Sequence, residues 1–110
     1  MAHNLKQLGQ LRPSEITAVS LYSPPVGDNV VHSIIVCNTS DSEATYSIFV
    51  DDNGEVYNET TAIFWEAALP ANTSDVLEVK ICMNDETGSL GVKTGSINAL
   101  TFTAFGEEIS

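Results

Sequence analysis

The stretch Thr45-Tyr46-Ser47-Ile48-Phe49-Val50-Asp51 decides the fold class of this chain. Tyr46, Ile48 and Val50 fall on one side of an extended backbone. Thr45, Ser47 and Asp51 fall on the other, with Phe49 the one apolar residue on the polar side. A period of two with one wet face is the signature of a half-buried β-strand. The same alternation returns in Ile63, Trp65, Ala67 and Leu69, with Glu66 facing away, a spacing that puts Trp65 in the core. It returns again in Leu77, Val79 and Ile81 against Glu78 and Lys80.

Outward from this stretch, short runs rich in Val, Ile, Thr, Tyr and Phe are separated by Gly, Pro, Asn and Asp, which is strand-and-turn texture. Strands are expected over 16–22, 30–37, 45–51, 61–68, 76–82, 90–94 and 98–105, with a short extra one at 55–58. Asn53-Gly54 between two runs predicts a type I′ hairpin, whose central residues both need positive φ. Seven or eight short strands and no long helical period predict an all-β antiparallel sandwich.

The run 30–37 differs from its neighbours. Regular alternation puts Val30, Ile34 and Val36 on one face and Val31, Ile35 and Cys37 on the other. With both faces apolar, the strand is either covered twice or meets another subunit. Val31 and Ile35 are therefore candidate partner contacts.

Charge divides the chain. It has 110 residues, with 4 Lys and Arg against 15 Asp and Glu, for a net charge of −11. The first 14 residues hold Lys6 and Arg12 and no acid, so every carboxylate lies beyond them. Leu5, Leu8 and Leu11 recur every third residue, as in a short helical turn, while Gly9 and Pro13 oppose a long one. Two parts are expected: an extended arm over 1–14 and a sandwich domain over 15–110. The arm is expected to dock on a partner through Leu5, Lys6, Leu8, Leu11 and Arg12. An acidic body lacks the cationic face that phosphate contacts require, which excludes nucleic acid as a partner and disfavours anionic membranes. At 43% hydrophobic and 17% charged residues, the chain folds rather than staying disordered.

No arrangement of residues carries catalysis. Two histidines and no G-x-S-x-G elbow leave nucleophilic mechanisms without a base. His32 sits among valines and isoleucines and reads as a hydrogen-bonded structural residue. His32 and Cys37, five apart on one strand, point to opposite faces under regular geometry and cannot share a zinc. Aligning Gly54 with the glycine of a calcium loop puts Phe49 where the first carboxylate belongs. The turns at Asp51, Asp52 and Glu55 and at Asp85 and Glu86 read as solvated turns, with a looser calcium site as the alternative. Cys37 and Cys82 read as two buried, reduced thiols, with a disulfide between them as the alternative. The sequons at Asn38, Asn58 and Asn72 read as turn asparagines. The expectation is a chain with no enzymatic activity, cofactor or metal.

Five features in order extend this reading: Leu8-Gly9-Gln10, Leu21-Tyr22 before Pro24-Pro25, Ile35-Val36-Cys37-Asn38-Thr39, Leu69-Pro70-Ala71-Asn72, and the ending Phe105-Gly106-Glu107-Glu108-Ile109-Ser110. In this order they resemble a family of small virion structural proteins of tailed bacteriophages. The acidic turn Asp51-Asp52-Asn53-Gly54-Glu55 departs from the family's pattern. The resemblance implies a jelly-roll-like sandwich located in the virion, assembled in the host cytoplasm. It implies a capsid decoration (cement) protein that bridges subunits of the head, with the major capsid protein or another virion protein as partner and a homotrimer as the favoured oligomer. The alternatives are a neck, tail, baseplate or fibre-associated component and, from another class, a carbohydrate-binding module. The last would need Tyr57 and Trp65 exposed together beside carboxylates.

Overall fold

A computed structural model describes residues 3–109. Met1 and Ala2 of the expected arm, and Ser110 at the end of the expected domain, lie outside the described residues. Eight strands follow in order: β1 (His3–Leu11), β2 (Val19–Tyr22), β3 (Asp28–Asn38), β4 (Ala44–Asp51), β5 (Ala62–Leu69), β6 (Ser74–Met83), β7 (Ser89–Thr94) and β8 (Leu100–Ile109). They form two four-stranded sheets, ordered β1-β8-β3-β6 and β2-β7-β4-β5. Every pairing is antiparallel. Consecutive strands cross from one sheet to the other at every step except β4–β5, which gives the double Greek key of a jelly roll.

The core fills the space between the sheets. Val31, Ile34, Val36, Leu100, Phe102 and Ala104 come from the first sheet, and Tyr46, Ile48, Leu69, Leu90 and Val92 from the second. The Tyr46 ring meets Phe102 edge-on, with centroids 6.3 Å apart. Buried Asn38 closes one end of the sandwich: its amide donates to the carbonyls of Ser42, Leu69 and Pro70. Asn72 takes a positive φ of 56°, and the Asn58 side chain accepts from the Thr60 amide, so both act within turns.

Three departures from strict alternation redirect side chains. The segment expected as an extended arm is incorporated into the first sheet as edge strand β1, paired with β8. Its register shifts between Gln7 and Gly9. That bulge turns both Leu8 and Leu11 toward the core, so the three-residue leucine spacing comes from a bulged strand and not from a helical turn. Gly9 is required there, because a Cβ would stand 2.3 Å from the Leu21 carbonyl oxygen where β1 passes over β2.

A second shift, between Val31 and Ser33, carries β3 past its neighbours. Val31 and Ile34, three residues apart, then both face the core and are fully buried. Val31 is thus unable to meet a partner, and Val30 takes the outer position expected for it. The same shift leaves His32 half-exposed, hydrogen-bonded to Glu107 at 3.2 Å.

The third departure lies in β5. Its register with β4 shifts between Tyr46 and Ile48, and Glu66 adopts a φ of 47°. Ala67 and Leu69 keep their inward positions, but Phe64 replaces Ile63 and Trp65 on the core side. Trp65 is 48% exposed, outside the core to which alternation assigned it.

Asn53-Gly54 does not make a tight hairpin either. Only Gly54 has positive φ, and the β4–β5 connection is a long loop that folds back over its own sheet. Asp51 holds that loop by accepting from the amides of Asn53 and Val56. No strand forms at 55–58.

Candidate interaction surface

The outer face of the first sheet is the exposed counterpart of the doubly apolar run 30–37. Strand register lines up its rows. Ile35 lies between Val76 of β6 and Thr103 of β8, and Cys37 lies between Ser74 and Thr101. Val30 lies between Cys82 and Glu107, with Leu5 of β1 next to Glu107. Among the described residues, no other element is packed over this face. Val76 is 63% exposed and Leu5 78%. A shallow hollow of about 370 Å³ opens beside Phe105, lined by Leu5, Lys6, Gln7, His32 and Gly106. On its rim, His32 Nε2 lies 3.2 Å from a carboxylate oxygen of Glu107.

The expected contact residues part company here. Leu5 and Ile35 share the outer face. Leu8 and Leu11 pack inward, and Val31 is core. Lys6 pairs with Glu108 at 3.0 Å. Arg12 donates through Nε to the Asn98 carbonyl at 2.9 Å, and the Asn98 amide donates to the Pro13 carbonyl. Both cations of the arm therefore find partners within the chain. Sequence reasoning overlooked Val76 and Phe105. Both lie on strands it expected, and their exposure depends on which face the register turns outward.

Both cysteines are free and neither is buried: Cys37 is half-buried and Cys82 exposed, both on this outer face. They belong to opposite ends of β3's register, roughly 23 Å apart for seven residues of strand, too far for a disulfide. His32 and Cys37 also come to the same side through the bulge, roughly 16 Å apart along the strand, beyond the reach of one ion.

The second sheet carries a smaller aromatic cluster on its outer face. Phe49, buried although it sits on the polar side of its strand, is flanked by Tyr57 and Trp65 at centroid distances of 5.8 and 6.2 Å. The returning β4–β5 loop lays the Tyr57 ring over Gly91, where a Cβ would come 2.4 Å from the ring. The Tyr57 hydroxyl donates to Ser89 Oγ at 2.8 Å, and Ser89 donates to the Gly54 carbonyl. Tyr57 is therefore engaged in fixing the loop, while Trp65 is half-exposed.

Two tyrosine–carboxylate bonds tie the sheets together. Tyr22 donates to Glu108 and Tyr46 to Asp75, each at 2.8 Å. Burial first, and the carboxylate second, push both phenol pKa values upward. The bonds from Lys6 and Tyr22 hold the Glu108 carboxyl below its usual range. Asp51 and Asp85 are also lowered, Asp51 by the backbone amides of Asn53 and Val56 and Asp85 by the Thr87 hydroxyl and amide. These carboxylates are occupied in holding turns. Among the described residues, no group of three His, Cys, Asp or Glu side chains is placed to hold a metal ion.

No family model and no curated protein matches the sequence. Solved structures do share the fold. A chain of the T13 IBDV viral particle superposes with a TM-score of 0.55 at 14% identity, over 96% of this chain and 30% of that one. A chain of infectious bursal disease virus, Gx strain, superposes with a TM-score of 0.52 at 14% identity, over 97% and 32%. This chain thus spans about a third of the length of each. At that identity the likeness is one of fold: this protein has the jelly roll found in chains of a virus particle.

Proposed function

We propose that this protein is a non-enzymatic structural component of a virion that docks on another virion protein through the outer face of the sheet β1-β8-β3-β6. The observation that carries the reading is the group of exposed Leu5, Val76 and Phe105 beside half-buried Ile35, on a jelly roll whose core is already complete. Support comes from the fold shared with virus-particle chains and from carboxylates committed to turns and ties rather than to chemistry.

Capsid decoration on a tailed-phage head is the finer reading, with the major capsid protein as partner. A four-strand face measures roughly 19 by 30 Å, about 600 Å². That falls short of the roughly 800 Å² per partner of a standard interface. A single contact of this size is weak, so retention depends on many copies and on neighbouring loops. The acidic surface favours the solubility of unassembled protein.

Ile35→Asp and Val76→Asp test the docking face. Both variants are expected to stay folded and to be lost from purified particles. Full occupancy by both would overturn the assignment. Copy number separates the placements: hundreds per particle mean decoration, and a dozen or fewer mean neck, tail, baseplate or fibre.

A second reading, sugar binding, draws on half-exposed Trp65, with Glu55 near the Tyr57 hydroxyl at 3.5 Å. Quenching of Trp65 fluorescence by a glycan panel tests it. An unchanged spectrum across the panel removes this reading.

A further inference from the structure

β6 has β3 on one side and no strand on the other among the described residues. It is ten residues long and contains no proline, a common device that blunts an open edge; its charges are Asp75, Glu78 and Lys80. Exposure alternates along it, with Ser74, Val76, Glu78, Lys80 and Cys82 outward and Asp75, Leu77, Val79 and Ile81 inward, although its pairing with β3 slips between Ile81 and Glu78. The inward residues are only half-buried, because the edge leaves their flanks open.

We infer that β6 pairs with β6 of a second copy, antiparallel about a two-fold axis at Val79. The charge pattern selects this register. With Val79 opposite itself, Glu78 faces Lys80 of the second copy and Lys80 faces its Glu78, both on the outer face. Moving the axis by one residue sets Glu78 against Glu78, or Lys80 against Lys80. Directly opposed like charges are unfavourable and opposed unlike charges favourable, so the strand is self-complementary in one register only. In that register Leu77 meets Ile81 of the second copy and covers the flanks that the edge leaves open. Val76 meets Cys82 of the second copy on the outer face. The contact is isologous, as a two-fold requires, and joins two four-stranded sheets into one of eight. It stands independently of the virion reading, and it is a different contact from the three-fold arrangement implied by the family resemblance. The net charge of −11 per copy opposes association over long range, so pairing strengthens as salt screens it.

Sedimentation velocity in moderate salt reads the result on the full chain. The wild type is expected as a dimer. Glu78→Lys and Lys80→Glu are each expected to be monomeric at the same concentration, and the double exchange is expected to restore the dimer. A monomeric wild type, or single variants that dimerise like it, would overturn the proposal. Register is read separately with Val76→Cys, whose new thiol lies opposite Cys82 of the second copy. With oxidised glutathione as oxidant, a covalent dimer on non-reducing gels is expected. Val76 and Cys82 of one chain are six strand positions apart, roughly 20 Å, which excludes a bond between them within the chain, and a Cys37→Ser background removes the diagonal neighbour of position 76. Continued monomer on those gels would refute the register even if a single charge variant failed to fold.

Discussion

Tyr46 Oη donates to Asp75 Oδ2 at 2.8 Å, tying β4 of one sheet to β6 of the other. Tyr22 repeats the device on Glu108 of β8. Both phenols keep their protons above the ordinary value of 10.0. Above that pH the unfolded chain holds fewer protons than the native one, so stability falls as pH rises. Urea midpoints are expected to drop between pH 9 and pH 11, and Tyr46→Phe should flatten the drop. The same variant loses one cross-sheet bond, about 1 kcal/mol at neutral pH.

Glu108 carries the opposite sign. Its carboxyl is held below the usual 4.5 by Lys6 and Tyr22, so its contribution is present above that value and is lost as pH falls below it through the lowered native value. Lys6→Ala removes one support. Its stability deficit relative to wild type is expected at pH 7 and should shrink toward pH 3, followed by circular dichroism.

Removing residues 1–12 deletes an edge strand, not a loose appendage. Leu8 and Leu11 leave the core, and the β8 edge loses its partner. The truncated chain is expected to unfold at clearly lower urea. Gly9→Ala reports on the same crossing, and the clash with the Leu21 carbonyl should cost about 2 kcal/mol. An unchanged midpoint in both would place β1 outside the sandwich.

Phe49 and Trp65 touch, yet they differ in depth. Phe49→Ala is expected to cost about 3–5 kcal/mol, the ordinary cost of emptying a buried aromatic site. Trp65→Ala, on a half-exposed ring, should cost about 1–2 kcal/mol. Chemical denaturation of the two variants gives the ratio directly.

Val31 and Ile35 were equivalent in the sequence and are opposites in the fold. An aspartate at Val31 strands a charge in the core and is expected to abolish folding. An aspartate at Ile35 lies on the open face and should leave a cooperative thermal transition.

Alternation around Tyr46, Ile48 and Val50, and turn residues between apolar runs, were enough to locate seven of the eight strands and the all-β class, because period two is a local property of extended backbone. β1 escaped because its bulge at Gly9 turned a strand pattern into a three-residue one. Ile35 could be read as surface-seeking from two apolar faces on one strand. The inward turn of Val31 and the outward turn of Trp65 could not, since each depends on a one-residue slip against a neighbour distant in sequence.

The amino-acid sequence by itself determined seven of the eight strands, their approximate limits and the acidic charge. Tertiary structure alone decided which sheet each strand joins, where the register slips, and which apolar face is left open. A slip of one residue reverses every side chain beyond it, and its energy comes from packing across the sandwich, which no local window of sequence contains.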